Sequence, residues 1–206
     1  QLKRADMISL AESEGFLLIY PEGTPLYGEP HWNAGLDRPE NKSSADDFGF
    51  VEALIEKMVS KYNIDSQRVY ACGYSNGSFF TYALACYHSD KIAAIASVSG
   101  TMMEETYENC NPTHPTSMIN IHGTSDYVVP YQGGTGLASI DQVMRYWVDY
   151  NQTTSTPAVN EVTEDGVTME HSVYSHGQGQ SSVEHLKILG GGHDWFQITY
   201  QGTDVN

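Results

Sequence analysis

Positive charge is scarce in this chain. Its 206 residues carry 10 Lys and Arg against 26 Asp and Glu, a formal net charge of −16. Such a surface repels phosphate backbones, so no nucleic-acid partner is expected. The charge itself reads as a device for solubility. Long apolar runs are absent too: nothing approaches the ~20 residues that a membrane-crossing helix needs. Histidines number eight, but His31, His88, His114, His171, His176 and His185 share no metal-ligand spacing, so no zinc site is expected. There is no internal repeat and no linker-like stretch. The chain therefore reads as one domain, 1–206, long enough for a sizeable core.

Cysteine is limited to Cys72, Cys86 and Cys110. Cys72 lies in an apolar run and reads as a small buried hydrophobe. Cys86 closes a helical segment and Cys110 sits in a Pro/Asn-rich loop. They are the expected disulfide pair, which would fit an oxidising compartment; two free thiols are the alternative. The chain starts at Gln1, inside a helix-like segment, and stops at Asn206. It reads as truncated at both ends, with any leader peptide lost upstream.

Apolar patterning alternates between two periods. Residues 2–14 read as a helix and 15–20 as a strand. A polar Pro/Gly-rich loop runs from 24 to 44. Helical spacing follows at Phe48, Val51, Leu54, Ile55, Met58, Val59 and Tyr62, with Asp46 and Asp47 placed as N-terminal caps. Strands are expected at 68–72, 92–98, 118–121 and 183–189, helices at 78–87 and 139–150, and a hairpin over 168–189. Alternating strands and helices predict an α/β fold with a mainly parallel sheet flanked by helices.

The segment Cys72-Gly73-Tyr74-Ser75-Asn76-Gly77 carries the chemistry. It places G-x-S-x-G between a strand and a helix, a turn that exposes the serine hydroxyl above the sheet. The glycines are expected to avoid collisions with neighbouring backbone. Two further strand patterns end at polar residues, one at Asp126 and the other at His193. Open α/β sheets place their ligands at such strand ends. The order Ser, Asp, His matches α/β-hydrolases and neither chymotrypsin nor subtilisin. Ser75, Asp126 and His193 are thus the expected catalytic triad, with the Asn76 backbone N–H as an oxyanion donor. His122 reads as a structural hydrogen-bonder, and Asp194 as a weaker candidate acid than Asp126.

With those residues placed, the chain resembles the secreted esterase family of polyhydroxybutyrate depolymerases and feruloyl or acetylxylan esterases. The resemblance rests on Phe16-Leu17-Leu18-Ile19-Tyr20-Pro21-Glu22-Gly23, His31-Trp32-Asn33, Asp46-Asp47-Phe48-Gly49-Phe50, the Ser75 segment, Ile121-His122-Gly123-Thr124-Ser125-Asp126 and Gly190-Gly191-Gly192-His193-Asp194-Trp195. It implies an α/β-hydrolase fold without metal or organic cofactor, in the extracellular space or periplasm. Two departures stand out. The family's HG-type oxyanion loop would lie upstream of Gln1, so the second donor is missing from the chain; one donor is typically worth about 2.7–4 kcal/mol of transition-state stabilisation. The family's His-x-Trp-Pro-Gly also becomes His193-Asp194-Trp195-Phe196-Gln197 here.

The expected activity is hydrolysis of a carboxylic ester through an acyl-enzyme. The substrate would be a small ester, a polysaccharide-linked feruloyl or acetyl ester, or a polyester. Trp32, Tyr127 and Trp195 are candidate substrate contacts. A serine peptidase of the same fold and a non-catalytic polysaccharide- or polyester-binding relative are the alternatives.

Overall fold

The computed structural model describes residues 7–35, 43–164 and 166–196. Helix α1 (Ile8–Glu14) ends at Gly15, whose left-handed φ of 69° lets its N–H return to the Ala11 carbonyl. The predicted residues 2–6 of this helix lie outside the described part. Two short strands, β1 (Pro25–Leu26) and β2 (Glu29–Pro30), form a small antiparallel hairpin. Helix α2 (Asp47–Lys61) is capped by Asp46, whose carboxylate accepts the Gly49 N–H at 2.9 Å. Its apolar stripe is half-buried rather than part of the deep core; Asp47 is the one buried residue of the helix.

The alternation continues with β3 (Tyr70–Tyr74), α3 (Asn76–Tyr87), β4 (Ala94–Val98), α4 (Glu104–Asn109), β5 (Ser117–Gly123) and α5 (Ile140–Asn151). It closes with β6 (Ala158–Glu164), β7 (Val167–Tyr174) and β8 (Val183–Ile188). Six of these strands form one sheet in the order β3-β4-β5-β8-β7-β6. β3, β4, β5 and β8 run parallel, while β7 and β6 are added antiparallel. The four parallel strands all end on one side, which brings the ends of β3, β5 and β8 to the same rim.

Helix α3 is apolar around most of its circumference, and it packs on β3 and β4 with Phe80 to Cys86 buried. Helix α5 starts with a reciprocal capping box between Ser139 and Gln142. It buries Ile140, Val143, Met144, Trp147, Val148 and Asn151, the spacing of a single stripe. Cys86 at the end of α3 and Cys110 just after α4 are joined by a disulfide, with their Cα atoms 4.7 Å apart. Among the described residues, no helix is long and apolar enough to cross a membrane.

Three expectations need correction. Residues 16–20 are not in a strand ladder, and Phe16, Leu17 and Ile19 are 41%, 49% and 39% exposed. An apolar run becomes a strand only against a partner, and no described strand pairs with it. Cys72 is exposed rather than buried; among the described residues β3 is the outermost strand of the sheet. The Pro/Asn-rich loop before β5 also contains α4, a single acidic turn and a half too short to show helical periodicity.

Candidate active site

β3 leads straight into Ser75, and α3 begins at the next residue. Ser75 has φ 53° and ψ −119°, a region that non-glycine residues rarely occupy. The turn is fixed from both sides. The Ser75 N–H donates to the Val98 carbonyl at 3.0 Å, and the Ser75 carbonyl accepts from Ser78 and Phe79. A methyl at Gly73 would run into the backbone of Gly77, so that glycine permits the close approach of strand and helix. Gly77 itself has room for a methyl group, in ordinary contact with Trp32.

The His193 imidazole bridges the other two predicted residues. Its Nε2 is 3.0 Å from Ser75 Oγ, and its Nδ1 is 2.8 Å from Asp126 Oδ2. A carboxylate only accepts, so Nδ1 carries the proton and Nε2 presents a lone pair to the serine hydroxyl. The Asp126 side chain is fully shielded from solvent, whereas His193 remains 13% exposed. Buried carboxylates need donors, and Asp126 has them: Val128 and Val129 N–H both reach Oδ1 at 2.9 Å. His122 Nε2 lies 3.4 Å from Oδ2 and donates to the Val129 carbonyl at 2.9 Å. Burial lowers the pKa of His122, so it stays neutral beside the acid.

Asn76 is the first residue of α3, so its N–H has no intrahelical acceptor. Its side chain is occupied elsewhere. Oδ1 accepts the Trp32 N–H at 2.7 Å and Nδ2 donates to the Trp32 carbonyl at 3.0 Å. The loop carrying Trp32 is pinned again by Asp47, which accepts the Asn33 N–H at 2.6 Å. The Trp32 ring is 8% exposed and stacks on Phe80 at 4.9 Å and 3°. It is packed as a core plug rather than as an open ring face. Tyr127 is 86% exposed beside Asp126. Trp195 is half-buried, with its edge against Tyr74 at 6.3 Å. The Asp194 carboxylate is turned to its own chain and accepts the Trp195 N–H at 2.8 Å.

Tyr74 and Ser99 were not among the expected site residues. The Tyr74 ring packs on the His193 imidazole at 5.1 Å and its hydroxyl donates to the His193 carbonyl at 3.2 Å. Ser99 Oγ donates to the Asp194 carbonyl at 2.6 Å. Tyr74 could have been noticed as the neighbour of Ser75; no sequence signal points to Ser99. Among the described residues, no group of three or more His, Cys, Asp or Glu side chains is arranged to hold a metal ion.

A family profile of phospholipases and carboxylesterases matches residues 27–157, well over half of the chain. The chain belongs to the phospholipase/carboxylesterase family. Proteins similar to it include a bifunctional acetylxylan esterase/xylanase of Neocallimastix patriciarum, 30% identical over 190 residues that cover 90% of this chain and 25% of that protein. Feruloyl esterase B of Piromyces equi is 28% identical over 194 residues, covering 89% of this chain and 34% of that protein. The chain thus spans about a quarter to a third of the length of these relatives. An acetyl xylan esterase structure from Aspergillus awamori superimposes with a TM-score of 0.62 at 17% identity, covering 94% of this chain and 78% of that one. The Bacillus cereus carboxylesterase gives 0.57 at 15% identity, covering 93% and 76%. These superpositions speak to the fold alone, which is that of the α/β-hydrolases. The esterase resemblance drawn from the sequence agrees with the phospholipase/carboxylesterase family and with these relatives.

Proposed function

We propose that this chain is the catalytic domain of a serine carboxylic-ester hydrolase. The observation that carries the reading is the continuous relay from Ser75 Oγ through His193 to the buried Asp126, at 3.0 and 2.8 Å. His193 Nε2 would take the hydroxyl proton as Ser75 Oγ attacks the ester carbonyl. Asp126 would hold the reactive tautomer and stabilise the imidazolium. The Asn76 N–H, at the positive end of α3, would receive the developing oxyanion. His193 would then protonate the leaving alcohol. Water, activated by the same imidazole, would release the acid and restore Ser75.

The substrate class follows from what similar proteins are named for. Similarity to an acetylxylan esterase and a feruloyl esterase supports acetyl or feruloyl esters on polysaccharide as the substrate, ahead of polyhydroxyalkanoate. Tyr127, exposed beside Asp126, and Trp195, half-buried beside Tyr74, would offer aromatic surfaces to a sugar or phenolic ring. Trp32 offers little surface to a substrate and serves to anchor Asn76. The Cys86–Cys110 disulfide fits an oxidising, extracellular or periplasmic setting.

The test is fluorophosphonate labelling with peptide mapping, alongside turnover of acetyl and feruloyl esters and of polyhydroxyalkanoate. Wild-type protein should give one adduct, on Ser75, and Ser75→Ala should retain its fold and lose ester turnover. Undiminished turnover by Ser75→Ala would refute the assignment.

A further inference from the structure

The base and the nucleophile belong to strands that are not neighbours. In the order β3-β4-β5-β8, two strands separate the one that delivers Ser75 from the one that delivers His193. Adjacent strands lie about 4.8 Å apart, so the chain leaving β8 travels roughly 14 Å across the sheet rim before its imidazole meets the serine. A glycine-rich segment is a poor ruler for that span, because it has many accessible conformations. Something has to set its reach.

The crossing is tied down strand by strand. Over the end of β5, the Ser125 N–H donates to the Gly191 carbonyl at 2.9 Å, and Thr124 Oγ1 accepts the Gly190 N–H at 2.8 Å. A side chain at Gly123 would run into the backbone of Gly191 and Gly192, so the segment lies directly on β5 there. Over the end of β4, Ser99 Oγ holds the Asp194 carbonyl at 2.6 Å. Over the end of β3, the Tyr74 hydroxyl holds the His193 carbonyl at 3.2 Å. Two consecutive carbonyls, those of the base and of its successor, are thus gripped by hydroxyls from the two strands nearest the nucleophile.

Ser99 is also an odd choice for the backbone it occupies. It is fully buried with φ 48°, a left-handed conformation that glycine adopts freely and serine rarely. Its backbone would be better served by glycine, and its hydroxyl is what glycine would lack. A strained, buried residue whose side chain reaches the loop of the base is strain retained for a purpose.

We propose that Ser99 and Tyr74 are positioning residues that set the reach of His193 to Ser75 by clamping the His193 and Asp194 carbonyls. The inference rests on the reading of Ser75, His193 and Asp126 as a catalytic relay. Neither hydroxyl takes part in the chemistry; each acts through the loop.

The experiment compares Ser99→Gly and Tyr74→Phe with wild type in the intact protein. Ser99→Gly relieves the backbone while removing the hydroxyl, so stability and activity should part company. Its unfolding midpoint should be unchanged or higher. Its kcat on an aryl acetate should fall roughly 10- to 100-fold, as expected for a misplacement on the order of 1 Å, with KM little altered. Fluorophosphonate labelling of Ser75 should slow in parallel. Tyr74→Phe keeps the ring and should show a smaller loss of the same kind. Proton NMR provides a readout independent of turnover: the low-field resonance of His193 Nδ1–H, held by Asp126, should be sharp in wild type and weakened in Ser99→Gly. Wild-type kcat and an unchanged resonance in both variants would overturn the clamp. So would a loss of activity matched by a loss of stability, which is the signature of a merely structural contact. Wild-type protein that neither labels nor turns over would sink the catalytic reading instead, and the resonance would still decide the clamp.

Discussion

Lowering the pH from 7 to 5 acts on a buried imidazole at the centre of the sheet. His185 on β8 is 6% exposed. Its Nδ1–H donates to the Asn120 carbonyl at 3.1 Å and its Nε2 accepts the Tyr131 hydroxyl at 2.8 Å. A second proton would have to go on Nε2, which would turn the Tyr131 bond round, with Nε2–H donating to the hydroxyl oxygen, and place a charge in the core. Burial is the largest influence and lowers the pKa; the Asn120 bond opposes it, and the charges of His122, Lys187 and His171 add to the fall from 6.5 to about 4. The unfolded chain therefore takes up the proton first. Stability from this group is complete above pH 6.5 and drains away as the pH falls towards 4. At about 1.4 kcal/mol per pH unit, the loss is about 2 kcal/mol by pH 5 and about 3 kcal/mol by pH 4. Urea unfolding at pH 7 and pH 5, with the disulfide kept intact, should be run on wild type and His185→Asn. The asparagine keeps a donor for the Asn120 carbonyl but cannot titrate. It should be less stable at pH 7 by about 1–3 kcal/mol, since the Tyr131 hydroxyl loses its acceptor. It should then lose about 2 kcal/mol less than wild type on going to pH 5. The other titrating groups are common to both proteins and cancel in the difference. Equal losses in wild type and variant would refute the reasoning.

Three further outcomes are expected. Reducing Cys86–Cys110, which closes a loop of sequence separation 24, should cost about 3.5 kcal/mol on the chain-entropy argument; a thermal midpoint indifferent to reductant would contradict it. Trp32→Ala should destabilise by about 3–5 kcal/mol, as for a buried aromatic, and a variant that keeps its midpoint but loses substrate affinity would return Trp32 to the substrate cleft. Gly123→Ala should push Gly191 and Gly192 off β5 and cut the Ser75 labelling rate, while normal labelling would mean that the rim repacks without moving His193.

The parallel half of the sheet was legible because its strands are short apolar runs that end abruptly at polar residues. Asp126 and His193 each follow such a run, and the fold places both run ends on one rim with Ser75. The edge elements were harder to read. Strand β6 carries Asn160, Glu161 and Thr163 among its few valines, and Val159 is 58% exposed, so its pattern lacks a clear buried face. Residues 16–20 gave the opposite error: the run is strongly apolar, yet pairing decides a strand and apolarity alone does not. Trp32 looked like a cleft aromatic because it sits in a polar loop, but a loop can be folded back into the core when Asn76 and Asp47 receive its backbone. Ser99 was invisible for a plainer reason. Its partner is a backbone carbonyl 95 residues away, and backbone groups leave no mark in the sequence.

The strand order also fixes a schedule. Ser75 precedes His193 by 118 residues in the chain. Ribosomes add about 5–20 residues per second, so a nascent chain carries the serine for roughly 6–24 s before its imidazole partner has been made. Throughout that interval the hydroxyl lacks the imidazole that the proposed mechanism assigns it as base. On the proposed mechanism, the last parallel strand of the described sheet to be synthesised supplies the base for the serine delivered by the first.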